Sequence, residues 1–349
     1  MLKLASPPLD LTLTAHYIKS LQRSDGAILW NTNDKLDPWD HVEAAMGLTV
    51  AGHHREAKSA YLWLANNQLD DGSWHATYFL PANPSAHQQA QAHSGKETNF
   101  IAYVATGVWH YFLATNDRDF LTQLFPVIQK ALNFVLRFQT PFGEICWAVD
   151  KNNNPEPDAL VTACSSIARS LECGILAAQA LGQDCAPWQT AWQALTTALT
   201  TKPERFDRTW PSKQRFAMDW YYPILAGLYT PQDAQAILAR RWQEFVEPKL
   251  GCRCVSDEPW VTMAETSELV MALVAANDLQ TAKTLFATLP QWQQADGGFI
   301  TGYVFKDDLI WPDDKTSWTA GAVLLAADAI FKLTPAAHIF TQVGSAHTR

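Results

Sequence analysis

Hydrophobic residues along this chain recur at helical spacing, and two classes of helix alternate. In the first class, apolar residues occupy one face and charged residues the other, as in residues 233–247. In the second class, small apolar residues cover every face, as in residues 44–48, 101–105, 269–273 and 320–325. Amphipathic helices lie at a solvent boundary, whereas helices that are apolar all round are buried on all sides. The alternation therefore predicts an outer and an inner layer of helices.

Each predicted inner helix has a polar or aromatic opening, and six such openings occur along the chain. They are residues 37–43, 96–100, 163–167, 217–223, 264–268 and 315–319. Six buried helices alternating with six amphipathic ones predict an all-α fold, an (α/α)6 toroid of six helical hairpins. Twelve helices with their connections need roughly 350 residues, so a single domain over residues 1–349 accounts for the chain. No alternating β-branched segment is long enough to predict a sheet core.

Four predicted outer helices end in one pattern, a glutamine followed by a turn with glycine and then an aromatic residue. The four segments run from Gln22 to Trp30, Gln68 to Trp74, Gln139 to Trp147 and Gln294 to Phe299. Glycine suits the left-handed position that closes a helix, and Asp-Gly favours a tight turn. A repeat of this kind is typical of a repetitive helical scaffold. A long polar loop, residues 81–96, either flanks the cavity mouth or is a simple surface excursion.

Composition narrows the classes of partner. The formal net charge of −9 over 349 residues argues against nucleic acid and acidic membrane surfaces. The first eight residues lack the apolar core of a signal peptide, and no apolar stretch is long enough to span a bilayer. The six cysteines are scattered without zinc-finger or thioredoxin spacing, and phosphate-binding glycine motifs are absent. We therefore expect a cytoplasmic protein with reduced thiols, no metal, no cofactor and no membrane insertion; the sequence names no partner protein.

Two families that share the toroid are similar to this chain. The glutamine-turn-aromatic segments resemble the QW motifs of squalene cyclases, terpenoid cyclases and protein prenyltransferase β-subunits. The inner-helix openings resemble the six-hairpin glycosidases, in which a Trp-Asp pair opens an early inner helix, as Trp39-Asp40 does here. Segments 221–227 and 316–320 are also similar to two segments of those glycosidases, an aromatic-Pro-Leu-x-x-Gly segment and the last inner helix. The whole chain further resembles bacterial proteins that are loosely labelled prenyltransferase-like.

The resemblance to the isoprenoid enzymes extends to the fold but not to their catalytic motifs. Protonating terpenoid cyclases use an Asp-x-Asp-Asp acid, whereas this chain has only doublets at residues 307–308 and 313–314. Protein prenyltransferases hold zinc with Asp, Cys and His, and no such motif surrounds Cys252 or Cys254. The catalytic pair of the glycosidases is likewise not matched residue by residue.

Carboxylates at four of the six openings are the candidate catalytic groups. Glycosidic bond cleavage commonly needs two carboxyl groups, one that donates a proton and one that activates water or attacks. We predict Asp219 and Glu265 as this acid and base, in either order, with Glu97 and Asp40 as further candidates. The apolar neighbours of Asp219 favour a raised pKa. The alternative is structural, because Asp caps helices and Glu favours the first turn.

Aromatic and polar residues beside these carboxylates are the predicted substrate-binding set. They are Trp39, His41, Asn99, Trp220, Tyr221, Tyr222, Arg253, Trp260, Trp311 and Trp318. Core packing is the alternative for the aromatics, and pairing with Asp257 is the alternative for Arg253. A histidine at only one opening argues against an epimerase-like proton-transfer pair, so His41 is predicted to bind substrate or to support Asp40.

The sequence thus predicts a glycosidase-like enzyme of carbohydrate metabolism that hydrolyses a sugar or a sugar-bearing small molecule. Two alternatives stay open at this point. One is an isoprenoid cyclase or prenyltransferase, and the other is a non-catalytic toroid that binds a carbohydrate or a partner protein. A cavity that combines carboxylates with tryptophan favours sugar, whereas a deep, purely aromatic cavity favours an isoprenoid.

Overall fold

The chain forms a helical toroid in which outer and inner helices alternate. The structure is a computed structural model that describes residues 9–80, the backbone of residues 91–93, and residues 95–344. In chain order the helices are α1 (Leu11–Ser20), α2 (Pro38–Val50), α3 (His54–Asn67), α4 (Thr98–Ala102), α5 (Val104–Thr115), α6 (Arg118–Leu136), α7 (Val161–Leu181), α8 (Ala186–Thr201), α9 (Ala217–Leu225), α10 (Pro231–Phe245), α11 (Met263–Ala275), α12 (Leu279–Phe286) and α13 (Ser317–Phe331).

The inner ring consists of α2, the α4–α5 pair, α7, α9, α11 and α13, each packed against the next. The ring closes because α13 packs against α2. Glycines allow this closure: a Cβ on Gly47 would lie 2.8 Å from the Cα of Gly321. A Cβ on Gly321 would lie 2.7 Å from the backbone oxygen of Glu43. The two helix backbones therefore approach more closely than larger side chains would permit.

The four glutamine-turn segments join neighbouring outer helices. In each, the glutamine amide donates to a backbone carbonyl at the next outer helix, and the turn glycine packs against the carbonyl three residues further on. The pairs are Gln22 with Glu56 (2.9 Å), Gln68 with Val127 (3.0 Å), Gln139 with Ala191 (2.9 Å) and Gln293 with Asp10 (2.8 Å). The matching glycine and carbonyl positions are Gly26 and Ser59, Gly72 and Lys130, Gly143 and Ala194, and Gly297 and Leu13.

The fourth segment differs from the sequence prediction by one residue. Gln293 makes the connection to α1, through the oxygens of Asp10 and Thr14, each at 2.8 Å. The predicted residue, Gln294, instead donates to the carbonyl of Trp292 at 3.3 Å. Two adjacent glutamines are indistinguishable by composition, and only the register of the turn decides which one faces the neighbouring helix.

We expect Gly143→Ala to destabilise the protein by about 3 kcal/mol. Gly143 has φ +110°, and a Cβ there would lie 2.3 Å from the oxygen of Ala194, so left-handed strain and overpacking add together. Gly182→Ala is the matched control because Gly182 also has a positive φ, +68°, but no atom lies within 4 Å of a Cβ. That control is expected to cost about 1 kcal/mol. Equal losses in denaturant unfolding would contradict the packing explanation.

The helices form the predicted toroid, but the fold is not all-α, because three small antiparallel sheets accompany the helices in the described residues. They comprise β1 (Lys35–Leu36), β2 (Thr77–Phe79) and β3 (Gln91–His93); β4 (Lys96–Glu97) and β5 (Ala148–Val149); and β6 (Val246–Glu247), β7 (Gly251–Arg253), β8 (Trp260–Thr262), β9 (Gly302–Val304) and β10 (Leu309–Ile310). Strands of two or three residues are too short to show an alternating pattern. Strands β1, β4 and β8 lead into α2, α4 and α11, so all three sheets flank the starts of inner helices.

Two further predictions from the sequence, on the loop at residues 81–96 and on membrane-spanning segments, can be compared with the structure only over the described residues. Most of the loop predicted at residues 81–96 lies outside the described residues. Over residues 9–80 and 95–344, we find no helix with the length and apolar character needed to cross a membrane.

Candidate active site

A cavity of about 250 Å³ lies where the inner helices begin. Five of the six inner-ring positions contribute side chains from their first turns or the residues next to them. The lining residues are Trp39, Asp40, Asn99, Phe100, Thr162, Met218 and Trp318. The cavity thus combines one carboxyl group and two small polar groups with aromatic and thioether surface.

The lining follows the pseudo-sixfold arrangement of the ring. Four of the lining residues are each followed by a residue of a deeper layer. The spacing is four positions, about one helical turn. The pairs are Trp39 with Glu43, Asn99 with Tyr103, Thr162 with Ser166, and Met218 with Tyr222. We call the deeper layer, completed by Glu268 of α11, the cavity floor. Its members converge from different helices because they occupy equivalent positions around the axis.

The floor is a buried network of carboxyl and phenol groups. The hydroxyl of Tyr103 donates to Glu43, and that of Tyr221 donates to Glu268. The Tyr222 hydroxyl lies among Tyr103, Ser166 and the two carboxyl groups. Above it, the Trp39 ring stacks on Tyr103 with centroids 4.7 Å apart. The floor therefore fixes the orientation of the tryptophan that forms one wall of the cavity.

Burial makes the two floor carboxyl groups weak acids. Desolvation raises the pKa of Glu43 to about 7 and raises the pKa of Glu268 well above its ordinary value. The proximity of Glu43 raises the pKa of Glu268 further, because two carboxylates in one apolar layer repel each other. Both groups thus favour the protonated form in the folded protein.

Asp40 lies in the cavity with a second carboxyl group close by. Asp37 caps α2, its Oδ1 accepting from the backbone N–H of Asp40 at 2.9 Å, which leaves the Asp40 side chain out of the capping role. Desolvation, followed by repulsion from Asp37, raises the pKa of Asp40 well above its ordinary value. A protonated carboxyl group in the cavity has the chemistry of a general acid.

Three acidic residues hold equivalent positions near the starts of their inner helices. Asp40 and Asp219 each immediately follow a lining residue, and Glu265 precedes Glu268 as Asp40 precedes Glu43. Desolvation, with a contribution from Asp207, raises the pKa of Asp219 to about 7, and its Oδ1 is buried without a partner among the described residues.

The surroundings of Asp219 and Glu265 differ. Asp219 interacts electrostatically with Asp207, in a loop, and with Arg241, on the outer helix α10. Glu265 interacts with Tyr221 and Glu268, which belong to or contact the cavity floor, and also with the thiols of Cys252 and Cys254, in and beside β7. The neighbours of Glu265 thus include the cavity floor and the five-stranded sheet, whereas those of Asp219 lie in a loop and on the outer helix α10.

The fourth candidate carboxylate, Glu97, lies close to the cavity in sequence but does not line it. Residues 97 and 99 are separated by one position, and Asn99 lines the cavity. Desolvation first, then repulsion from Asp37, raises the pKa of Glu97 to about 7. Glu97 also lines a neighbouring groove. The structure thus gathers Asp40 and Glu97 near the start of α2.

Several predicted substrate-binding residues lie at the cavity, and their binding role stays a prediction. Trp39, Asn99 and Trp318 line it, while Tyr222 belongs to its floor. Tyr221 is fully buried and its hydroxyl is bonded to Glu268, so it supports the floor.

Two predicted binding residues have structural roles instead. Neither ring nitrogen of His41 is free: Nδ1 accepts from the Ile28 N–H at 3.1 Å, and Nε2 contacts the Ala60 carbonyl at 2.9 Å. Burial lowers the pKa of His41 to about 4, so the ring is a neutral link between α2 and α3. Trp220 stacks on Phe245 and lies between α9 and α10.

Three other predicted binding residues lie around the five-stranded sheet. Arg253 pairs with Glu247 (Nε to Oε1, 2.8 Å), and the predicted partner Asp257 instead binds Arg215. Trp260 donates from Nε1 to the Trp311 carbonyl at 2.8 Å, and Trp311 is 53% exposed. None of the three lines the cavity.

Sequence reasoning missed several members of the site. Thr162 and Met218 look ordinary within their helices, and Tyr103 and Ser166 carry no catalytic motif. The spacing of four positions between lining and floor residues could have identified them. That spacing becomes visible only when the sequences of the inner helices are aligned with one another. Among the described residues, no group of three or more His, Cys, Asp and Glu side chains is placed to hold a metal ion.

One curated relative covers nearly the whole chain. It is the MMP endo-(1,4)-3-O-methyl-alpha-D-mannosidase of Mycolicibacterium hassiacum, 43% identical over 330 residues, which are 95% of this chain and 88% of the relative. This chain belongs to the family of that mannosidase. No protein-family model matches it. The protein is a glycosidase that acts on a sugar, which confirms the predicted function.

Solved structures agree on the fold. A GH63 mannosylglycerate hydrolase from Thermus thermophilus, in complex with glucose, superposes with a TM-score of 0.71 at 15% identity over 90% of this chain and 99% of that one. A second glycosidase, also in complex with glucose, gives a TM-score of 0.68 at 15% identity, over 93% and 97%. The six-hairpin glycosidase resemblance is confirmed at the level of fold, whereas the prenyltransferase-like resemblance finds no support.

Proposed function

We propose that this protein cleaves α-(1,4)-linked chains of 3-O-methylmannose internally. The name of the mannosidase relative specifies that linkage and that sugar, and the identity of 43% over 95% of this chain supports a shared substrate class. We also propose that residues 1–349 form a single (α/α)6 toroid domain whose cavity at the inner-helix starts is the active site. A cytoplasmic location stays a prediction.

One observation carries the proposal: the cavity places a buried carboxyl group among apolar surfaces. Asp40 shares the cavity with Trp39, Phe100, Met218 and Trp318. O-methylation replaces a hydroxyl donor with an apolar methyl group, which these rings and the thioether can cover without leaving a buried polar group unpaired. Asn99 and Thr162 supply polar contacts for the remaining hydroxyls.

The proposed mechanism uses two carboxyl groups near the starts of two inner helices. Asp40 donates its proton to the glycosidic oxygen as the bond from that oxygen to the anomeric carbon breaks. Glu265 either takes a proton from an attacking water or attacks the anomeric carbon itself. We assign Glu265 rather than Asp219 because Glu265 interacts with Glu268 of the cavity floor, whereas the charged neighbours of Asp219 lie in a loop and on the outer helix α10. The stereochemistry of the product, followed by NMR, separates the two routes.

The test is hydrolysis of defined oligosaccharides by the purified protein. We expect an α-(1,4)-linked 3-O-methylmannose hexasaccharide to yield internal cleavage products, detected by mass spectrometry. The unmethylated mannose hexasaccharide is the matched control, and its cleavage is expected to be at least tenfold slower. Release of monosaccharide only, or equal rates on both compounds, would contradict the proposal.

A further inference from the structure

The cavity is too small to account for binding of a polymer. Its volume of about 250 Å³ lies below the range of roughly 300–1,000 Å³ that is typical of pockets for drug-sized ligands. An enzyme that cleaves a chain internally must also hold sugar units on both sides of the broken bond. A further binding surface next to the cavity is therefore required.

A groove of about 460 Å³ lies immediately beside the cavity. We call it the Trp147 groove; its polar and aromatic lining residues are Lys96, Glu97, Trp147, Asp150, Lys151 and Glu156. The segment 97–99 separates the two spaces, since Glu97 lines the groove and Asn99 lines the cavity. The two spaces are also linked electrostatically, because Asp37 acts on both Glu97 and Asp40.

Three polar side chains of the groove have no hydrogen-bond partner among the described residues. Within the described part of the chain, no side chain or backbone group hydrogen-bonds to the carboxyl of Glu97, the carboxyl of Glu156 or the ammonium of Lys151. Lys96, by contrast, is engaged by Asp71 at 2.6 Å and by Asn153 at 2.9 Å. Carboxyl and ammonium groups without such partners can form hydrogen bonds with the hydroxyls of a sugar.

An aromatic wall completes the groove. Trp147 is half-buried and directly precedes β5, and its ring makes an edge contact with Trp210, with centroids 5.8 Å apart. A rigid aromatic face loses little conformational entropy when a flat apolar ligand face packs on it. The pyranose ring presents such a face, and its hydroxyls reach outward to carboxylates like Glu97 and Glu156.

We propose that the Trp147 groove binds the sugar units that follow the cleaved residue along the same chain. This inference rests on the proposed function, because it takes the α-(1,4)-linked 3-O-methylmannose chain as the ligand. The chain enters over Trp147, passes the segment 97–99 and presents its scissile bond at Asp40. The groove therefore makes affinity depend on chain length.

Binding in the absence of turnover tests the inference. In the Asp40→Asn background, isothermal titration calorimetry measures the affinity of a disaccharide and a hexasaccharide of α-(1,4)-linked 3-O-methylmannose. The ratio of the two affinities is expected to fall about tenfold on Trp147→Ala, as the loss of one aromatic stacking contact implies. Phe142→Ala is the control, because Phe142 is an exposed aromatic residue outside the groove, and it should leave the ratio unchanged.

Each outcome has a distinct meaning. Equal losses for both lengths, or an unchanged ratio, would overturn the inference, since a structural role of Trp147 affects both ligands alike. Glu156→Ala guards against misfolding of the tryptophan variant, because Glu156 is exposed, and it is expected to weaken hexasaccharide binding selectively. Length-dependent binding that requires Trp147, without hydrolysis by the wild-type protein, would contradict the proposed function and leave the groove supported. Absence of binding at both lengths would overturn the groove.

Discussion

Asp40→Asn is expected to lower kcat on 3-O-methylmannose oligosaccharides by about 10²- to 10⁴-fold, the usual contribution of a general acid. Asparagine keeps the size and shape of the side chain and can still form hydrogen bonds. It has no acidic proton to transfer to the leaving oxygen. KM is expected to change only a few-fold, because the cavity walls formed by Trp39 and Trp318 are retained. Initial rates over a range of substrate concentrations measure both constants.

Asp119→Asn is the matched control for this experiment. Asp119 is also an aspartate in the first turn of a helix, but it is exposed on the outer helix α6. Its substitution should leave kcat unchanged. A loss of less than tenfold for Asp40→Asn would show that Asp40 does not donate the proton.

The same assay decides between the two candidates for the second carboxylate. Glu265→Gln is expected to reduce kcat as strongly as Asp40→Asn, and Asp219→Asn is expected to reduce it by less than tenfold. The reverse result would assign the role to Asp219, whose carboxyl group then faces the axis despite its interactions with Asp207 and Arg241.

The Glu43→Gln variant is expected to gain about 2.5 kcal/mol of stability relative to the wild type between pH 5 and pH 7.5. The pKa of Glu43 is about 7 in the folded protein, against 4.5 for an exposed glutamate. Between these two values the unfolded wild type releases a proton that the folded form keeps, so wild-type stability falls as the pH rises from 4.5 to 7. A pKa difference of about 2.5 at about 1.4 kcal/mol per pH unit gives a limit of about 3.5 kcal/mol, of which about 2.5 kcal/mol falls between pH 5 and pH 7.5. The glutamine of the variant has no such dependence, and its carbonyl still accepts from Tyr103.

Denaturant unfolding of both proteins at pH 5 and pH 7.5 measures this change, and the difference between them removes the titration of all other groups. Glu56→Gln is the control of opposite sign. The hydrogen bond from Lys19 lowers the pKa of Glu56 to about 2, so the stability that Glu56 contributes is lost only as the pH falls from 4.5 toward 2. Its difference from the wild type should stay constant between pH 5 and 7.5. If the Glu43→Gln difference also stays constant in that window, the carboxyl group is ionised in the folded protein.

The ring of helices was predictable because periodicity is a local property of the chain. The all-round apolar character of residues 44–48 and 320–325 identified α2 and α13 as inner helices, and both are fully or nearly fully buried. The small sheets were not predictable, since strands such as β4 and β5 contain only two residues each. Their pairing depends on segments about 50 residues apart that the ring brings together.

The sequence predicted which ends of the inner helices carry the candidate site, but not which side chains at those ends face the cavity. Acidic residues near the inner-helix starts pointed to Asp40, Glu97, Asp219 and Glu265, and of these Asp40 is among the residues that line the cavity. The sequence did not distinguish Asp37, which caps α2, from Asp40, which lines the cavity. It also predicted that His41 binds substrate or supports Asp40, whereas both nitrogens of its ring contact backbone groups, those of Ile28 and Ala60.

The sequence by itself determined which helices are buried, where each inner helix begins, and that carboxylates gather at those starts. It also identified the reaction class, which the mannosidase relative confirms. Only the tertiary structure decided which of these side chains meet. The direction of a side chain around the ring depends on how its helix rotates against its neighbours, and burial, which raises the pKa of Asp40 and Glu43, arises only when all six inner helices close around the axis.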